Sequence, residues 1–416
     1  MSDIDNIHAE SGHVPPARIL GWQVAALYAS IYPHYGLFSV YMGAWLSHQG
    51  LKPGEVGLLV ATPLLLRVFF VAPVTELADR LRRIRELLFA CVAGTAALMV
   101  VLGLVKGFLG LAILFVILSM VWDPLPILAD AYAVASVRAR KLDFGQMRVA
   151  GSIAHIIATL CGGVLIDRMG IQVLPYATAL LLVIPMIVIP FLPKDRYFGD
   201  PTPSAKGEWV LLLKDPALVL AVVATSLIVS SQAVYGVFAI QHWIAMGMKA
   251  SYTSELTAIG MVSEIVLLIF AQKLLGARSP LWMIAVSAVM LGLRWVAMAF
   301  DPGPNVLPAL QVLHGFGMGA VAGLMLYIAQ RVPERLIATA QGVNAVVLGA
   351  IAAVAAGVSG FIWQSLGPAA YLVMAAMVAV GVAGILWQLA NPHYGAPTGL
   401  EAAEAMEASE LDGMGA

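Results

Sequence analysis

Charge is what this chain has least of. Of 416 residues, only 11% are Asp, Glu, Lys or Arg, against about 25% in an ordinary soluble domain. That shortage excludes a water-soluble globule, and its counterpart, 61% hydrophobic residues and a mean hydropathy of +0.89, describes a polytopic membrane protein. Cysteine is scarce too: Cys91 and Cys161 both sit in apolar segments without metal-ligand spacing, which argues against a disulfide framework or a zinc site. No metal and no cofactor is implied. The net charge of -1 gives no footing for a nucleic-acid partner. The opening stretch MSDIDNIHAESGHVPPARIL lacks both the basic region and the small-residue cleavage site of a secretory signal, so the first apolar span should be retained.

What is present is a series of apolar runs of membrane-crossing length. Windows of about 20 apolar residues, broken at proline, glycine and charge, predict twelve spans: 19–46, 55–77, 86–105, 109–134, 146–167, 171–192, 216–244, 254–275, 279–300, 306–330, 338–362 and 367–389. The longest polar break, residues 193–215, divides them six and six. The expected fold class is therefore an all-α membrane protein of two six-helix bundles, 19–192 and 216–389. They should be flanked by a cytoplasmic N-terminal segment, 1–18, and a disordered cytoplasmic tail, 390–416, with 193–215 as a cytoplasmic central loop.

Orientation follows from the positive residues, which favour the cytoplasmic side. With the N-terminus inside, sixteen of the 23 Lys and Arg residues fall in cytoplasmic segments and four on the opposite side. Both termini are thus expected in the cytoplasm, with the protein multi-pass in the cell inner (plasma) membrane. A monomer is expected.

Three arginines remain inside spans, and ionisable groups in a bilayer are costly enough to mark function or deliberate pairing. The shortlist is His34, Arg67, Asp123, Asp130, Arg148, His155, Glu264, Arg294 and His314. Asp123 and Asp130 lie seven apart on span 4, nearly two helical turns or about 10 Å along one face; Arg148 and His155 repeat that spacing on span 5. Because a short loop joins the two spans, a ladder is expected: Asp130 with Arg148 near the cytoplasmic third, and Asp123 with His155 near the midplane. The lower pair would bind substrate or only fix helix register; the upper could exchange a proton, although a satisfied core histidine is the commoner fate of a lone His. Glu264, on span 8, has no cationic neighbour at its own level by span counting, which suits protonation, whereas Arg294 and His314 share the outer side and could meet. Tyr35, in the aromatic-rich first span, would line a cavity or face lipid. The small-residue runs in spans 10 and 11 suit close helix packing.

TELADRLRRIR, residues 75–85 between spans 2 and 3, resembles the cytoplasmic loop signature of the major facilitator superfamily, with Asp79, Arg80 and Arg83 in the characteristic acidic and basic places and Thr75 and Arg82 where glycine is usual. FGQMRVAGSIAH resembles the span-5 entry of the oligosaccharide/proton symporters of that superfamily. PLPILADA, LHGFG and VGLLVATPLLLRVF, which contains Arg67, look still more like the phenylpropionate permease branch. The resemblance implies a secondary transporter working by alternating access, with Arg148 and Asp130 as substrate ligands. Gly317 stands where the lactose-type symporters carry a coupling carboxylate, so a proton would fall to His314, Glu264 or Asp123.

The resulting expectation is proton-coupled symport of a small organic solute, preferably an aromatic or other organic carboxylate. Arg148, Asp130, Arg67, Tyr35, Arg294 and His314 would bind substrate, and Asp123, His155 and Glu264 would carry protons. A sugar or nucleoside symporter or a drug exporter is the nearest alternative. A membrane-embedded enzyme or sensor would need loops richer in His and Cys, or a soluble signalling domain.

Overall fold

The computed structural model describes residues 15–81, 83–140, 142, 144–194, 209–276, 278–333, 336–391 and 394. The first fourteen residues, the central loop from 195 to 208 and nearly all of the expected tail lie outside the described residues, as do the side chains of Asp79 and Arg80. Arg83 is exposed at the residue before a helix start.

All regular structure among the described residues is helical. In chain order the helices are α1 Ala17–His48, α2 Pro53–Leu81, α3 Ile84–Leu104, α4 Phe108–Trp122, α5 Pro124–Arg140, α6 Phe144–Met169, α7 Leu174–Leu181, α8 Val183–Val188 and α9 Trp209–Leu213. They continue as α10 Pro216–Ser230, α11 Ala233–Ala245, α12 Ala250–Leu275, α13 Pro280–Ala299, α14 Leu307–Val312, α15 Phe316–Arg331, α16 Ile337–Leu366 and α17 Ala370–Ala390. Their limits follow local chemistry. Proline, whose missing N–H costs nothing in a first turn, is the first residue of α2, α5, α10 and α13. Glycine with positive φ follows α1, α6, α11 and α12.

Nine stretches among the described residues are long and apolar enough to cross a bilayer. Three of them are interrupted beside polar side chains. Phe108–Val137 breaks at Asp123 between α4 and α5; Pro216–Ala245 breaks at Ser231 and Gln232 between α10 and α11; and Leu307–Arg331 passes through a tight turn, Leu313–Gly315, containing His314. Irregular backbone at membrane depth must be covered by protein or line a cavity, so these breaks are natural places for a site.

The chain divides into two compact units. Unit 1 comprises Met1–Thr202 with Gly236–Ala258, and unit 2 comprises Pro203–Tyr235 with Ile259–Ala416. In unit 1, α1 is the central element, packed along α6 and also against α7 and α5. Two glycines seven apart on α1 allow close approach, one to α6 and one to α11. A Cβ at Gly36 would collide with the His155 carbonyl of α6, and one at Gly43 with the Val237 carbonyl of α11. Thr159 Oγ1 locks the first contact by donating to the Gly36 carbonyl at 2.8 Å. The start of α12 is held in the same unit: Asp167 accepts from the Ala250 and Ser251 N–H groups at 2.7 and 3.0 Å, and Tyr41 Oη donates to the Ala250 carbonyl at 3.1 Å. Those N–H groups belong to the first turn of α12 and have no partner within the helix.

Unit 2 is built on α10, α13, α15, α16 and α17. Asp215 caps α10 by accepting from the Ala217 and Leu218 N–H groups and also takes two hydrogen bonds from Arg331, at 2.6 and 2.9 Å. Trp295 of α13 stacks on Tyr371 of α17, ring centroids 5.7 Å apart and planes 6° from parallel.

Candidate functional site

The polar side chains inside the apolar stretches gather into one cluster in each unit. In unit 1 the lower rung of the expected ladder exists: Arg148 Nη1 donates to Asp130 Oδ1 at 2.5 Å, and Tyr28 Oη donates to the same oxygen at 2.7 Å. The guanidinium lies 5.8 and 5.6 Å from the Tyr28 and Tyr32 ring centroids. The pair is not sealed, since its side chains are 42% and 37% exposed. An arginine has five N–H donors, so an exposed one that spends Nη1 on an acid keeps a face for another acceptor.

At the upper rung, Asp123 is 8% exposed and its Oδ2 has no hydrogen-bond partner. Two features weigh against the spacing argument. Asp123 stands at the end of α4, and Pro124 starts a new helix, so the two acids are not on one continuous cylinder. The packing partner of α6 is chiefly α1, with α5 touching it little. The backbone of His155 meets α1 instead, its carbonyl lying against Gly36.

Tyr35 is explained by the same break. Pro126 has no N–H, so the Trp122 carbonyl four residues earlier loses its helical donor, and Tyr35 Oη supplies one at 2.9 Å. Tyr35, His34 and Trp122 also pack as a ring cluster, with centroid distances of 4.1 to 4.8 Å. His34, completely buried, bonds the Ile31 carbonyl through Nδ1. Arg67, on α2, is exposed and forms no ion pair among the described residues.

Unit 2 holds the more enclosed cluster. Glu264 does have a partner, contrary to the reading from span depth: its Oε1 lies 3.2 Å from His314 Nε2, a pair that is ionic only when the histidine is protonated. The contact depends on Gly260, one turn before Glu264 on α12, where a Cβ would come within 3.1 Å of the His314 ring. The turn Leu313–Gly315 then aims that ring at the carboxylate.

Arg294 and His314 do not bond each other. Arg294, with no exposed surface, donates from Nε to the Leu310 carbonyl at 3.1 Å and from Nη2 to Gln311 Oε1 at 3.0 Å. Tyr235 Oη donates to the same Gln311 oxygen at 2.9 Å. The guanidinium is flanked by the Tyr235 and Trp295 rings, 4.3 and 4.5 Å from their centroids, in cation–π geometry. The Tyr235 ring also reaches His314, at 5.3 Å. Arg294 Nη1, Gln311 Nε2 and His314 Nδ1 are all buried without a hydrogen-bond partner. An unmade hydrogen bond of this kind costs about 1–3 kcal/mol, more for a charged group.

Gln311, Tyr235, Tyr28 and Trp295 escaped a sequence search confined to ionisable residues. The usable signal was Gln311, an amide in an apolar span one helical turn before His314.

A profile of the MFS_1-like family matches residues 21–373. The "Probable 3-phenylpropionic acid transporter" of Escherichia coli (strain K12) is 28% identical over 362 residues, covering 84% of this chain and 92% of that protein. The maltose permease of Geobacillus stearothermophilus is 25% identical over 320 residues, 75% and 80% of the two chains. The crystal structure of nucleoside transporter NupG superposes with a TM-score of 0.80 over 89% of this chain and 99% of that one, at 15% identity, and so speaks for the fold. The all-helical architecture, its bilayer-length apolar stretches and the profile match across most of the chain lead to one identification: this protein belongs to the MFS_1-like family and is a membrane transporter of the major facilitator superfamily.

Proposed function

We propose that the protein is a proton-coupled symporter of a small organic anion, an aromatic carboxylate by preference. The observation that carries this reading is Arg294: a guanidinium with no exposed surface, bonded only to neutral acceptors and flanked by aromatic rings. A fixed positive charge suits a carboxylate, and neighbouring rings suit an aromatic body. The name of the Escherichia coli relative points the same way.

Charge balance supplies the coupling. With His314 neutral, Glu264 and Arg294 cancel, and an arriving monoanion leaves one negative charge in a medium where that is expensive. A proton taken up on the Glu264/His314 pair restores neutrality, so anion and proton travel together. Asp123 is a second candidate carrier, and Arg148 with Asp130 forms a second candidate substrate contact in unit 1. Twelve crossings fit the helices: α1, α2, α3, α4 with α5, α6, α7 with α8, α10 with α11, α12, α13, α14 with α15, α16 and α17. Bundles 19–192 and 216–389 then alternate access, with both termini cytoplasmic and a monomer as the working form.

The test is accumulation of labelled 3-phenylpropionate in proteoliposomes carrying the purified protein. An imposed pH gradient, acidic on the side of substrate entry, should drive uptake above equilibrium, and a protonophore should abolish it. Accumulation indifferent to the protonophore would refute proton coupling. Uptake of maltose or a nucleoside in place of any carboxylate would transfer the assignment to a sugar or nucleoside symporter, the reading that the exposed Arg148/Asp130 pair and the maltose permease similarity would favour.

A further inference from the structure

Gln311 occupies a position where an acid would be the obvious residue. Its Oε1 receives both Arg294 Nη2, at 3.0 Å, and Tyr235 Oη, at 2.9 Å, and the side chain has no exposed surface. A glutamate there would accept the same two bonds and would also neutralise the guanidinium. No acid among the described residues bonds the guanidinium directly: Asp130 is bonded to Arg148, and Glu264 is paired with His314 and acts on Arg294 only through space.

The amide orientation is fixed by chemistry. Arginine only donates, so the oxygen of Gln311 must face it and the NH₂ group must point away. The result is a cation whose close ligands are all neutral, accompanied by two unpartnered buried donors, Arg294 Nη1 and Gln311 Nε2, on one hydrogen-bonded pair. A group that offers only donors and one net positive charge selects an acceptor with negative charge. Maltose, a nucleoside or any neutral solute would leave the guanidinium without a bonded anion.

We infer that Gln311 is the specificity-determining residue of the unit 2 cluster: as a neutral acceptor it positions Arg294 and leaves the guanidinium without a directly bonded acid, and this makes the site select monocarboxylates over neutral molecules of the same shape. The inference rests on the proposed anion transport and adds the residue that sets it. Gln311 acts through Arg294 and is a positioning residue.

The experiment uses the purified full-length protein in lipid nanodiscs and equilibrium binding of two probes, 3-phenylpropionate and its uncharged amide, 3-phenylpropionamide. Wild type should favour the carboxylate. Gln311→Glu keeps the size and both acceptor bonds but adds the charge, and should lose carboxylate affinity by about 100-fold while binding the amide within about threefold of wild type, the scale expected for a charge-assisted contact. Gln311→Met, which removes the bonds without adding charge, should weaken both probes yet keep the preference for the carboxylate; this variant decides the matter should Gln311→Glu fail to fold by thermal melting. A carboxylate preference that survives in folded Gln311→Glu, equal loss of both probes in that variant, or disappearance of the preference in Gln311→Met would each overturn the inference while leaving anion transport standing. Wild-type protein with no preference for the carboxylate would overturn the proposed function and this inference together.

Discussion

Arg294 is an expensive side chain, because a charge with no acid bonded to it among the described residues is being kept out of water. Its neighbours are chosen to soften that cost without removing it: a backbone carbonyl, an amide oxygen and two aromatic faces. Replacing Glu264 tests the coupling that follows. Glu264→Gln should leave substrate exchange between equal concentrations near the wild-type rate but reduce accumulation driven by a pH gradient at least about tenfold, the factor belonging to about 1.4 kcal/mol of driving force; gradient-driven uptake at wild-type level would exclude this carboxylate as the carrier. A double-mutant cycle resolves the other cluster. If the Asp130/Arg148 pair only holds helices, Arg148→Ala should be more damaging to transport than Arg148→Ala with Asp130→Ala, since the single change strands an acid; equal losses would assign the pair to substrate. Some of this was legible beforehand. Asp130 and Arg148 are joined by one short loop, so spacing sufficed, whereas Glu264 and His314 are fifty residues apart and meet through a glycine and a local turn that depth counting ignores. Gln311 carries no charge to draw the eye.

Helices are where the sequence was most readable. Apolar length, proline at starts and glycine at ends put the segment limits within a few residues of the observed helices. The interruptions inside them were less readable, because Pro124 and Pro126 mark a break without saying which group will satisfy the carbonyl it frees. Tyr35 does so, and its hydroxyl therefore has a structural duty. Tyr35→Phe should cost about 1 kcal/mol of stability, the net value of a typical hydrogen bond, seen as a lower melting temperature in detergent; an unchanged melting curve would show that the Trp122 carbonyl does not need this donor. A second joint is steeper in cost. Arg331→Ala would leave the Asp215 carboxylate, 7% exposed, with its two cap bonds but no counter-charge, and should lower stability by about 3 kcal/mol. Arg331→Lys should recover only part of that, because a single ammonium cannot reproduce the two-bond fork.

For the molecule as a whole, the proposed twelve crossings and cytoplasmic location of both ends make a prediction that needs no substrate. A fluorescent protein fused to the C-terminus should fluoresce in cells, while alkaline phosphatase fused at the same place should be inactive; the reverse pattern would require an odd number of crossings or an inverted protein. The family assignment rests on pattern spread over most of the chain and not on any one motif, which is why relatives at 25 to 28% identity are still recognisable. That degree of divergence gives the glycines of α1 a further meaning. Gly36 and Gly43 each face a backbone carbonyl, and a carbonyl cannot be mutated away. Most contacts in a core can drift together, one side chain shrinking as its neighbour grows, but a glycine pressed on main chain has no partner able to compensate. Along a helix otherwise free to exchange one apolar residue for another, these two positions should be close to fixed points of the lineage, and deep mutational scanning should find them less tolerant than the apolar positions of α1 around them.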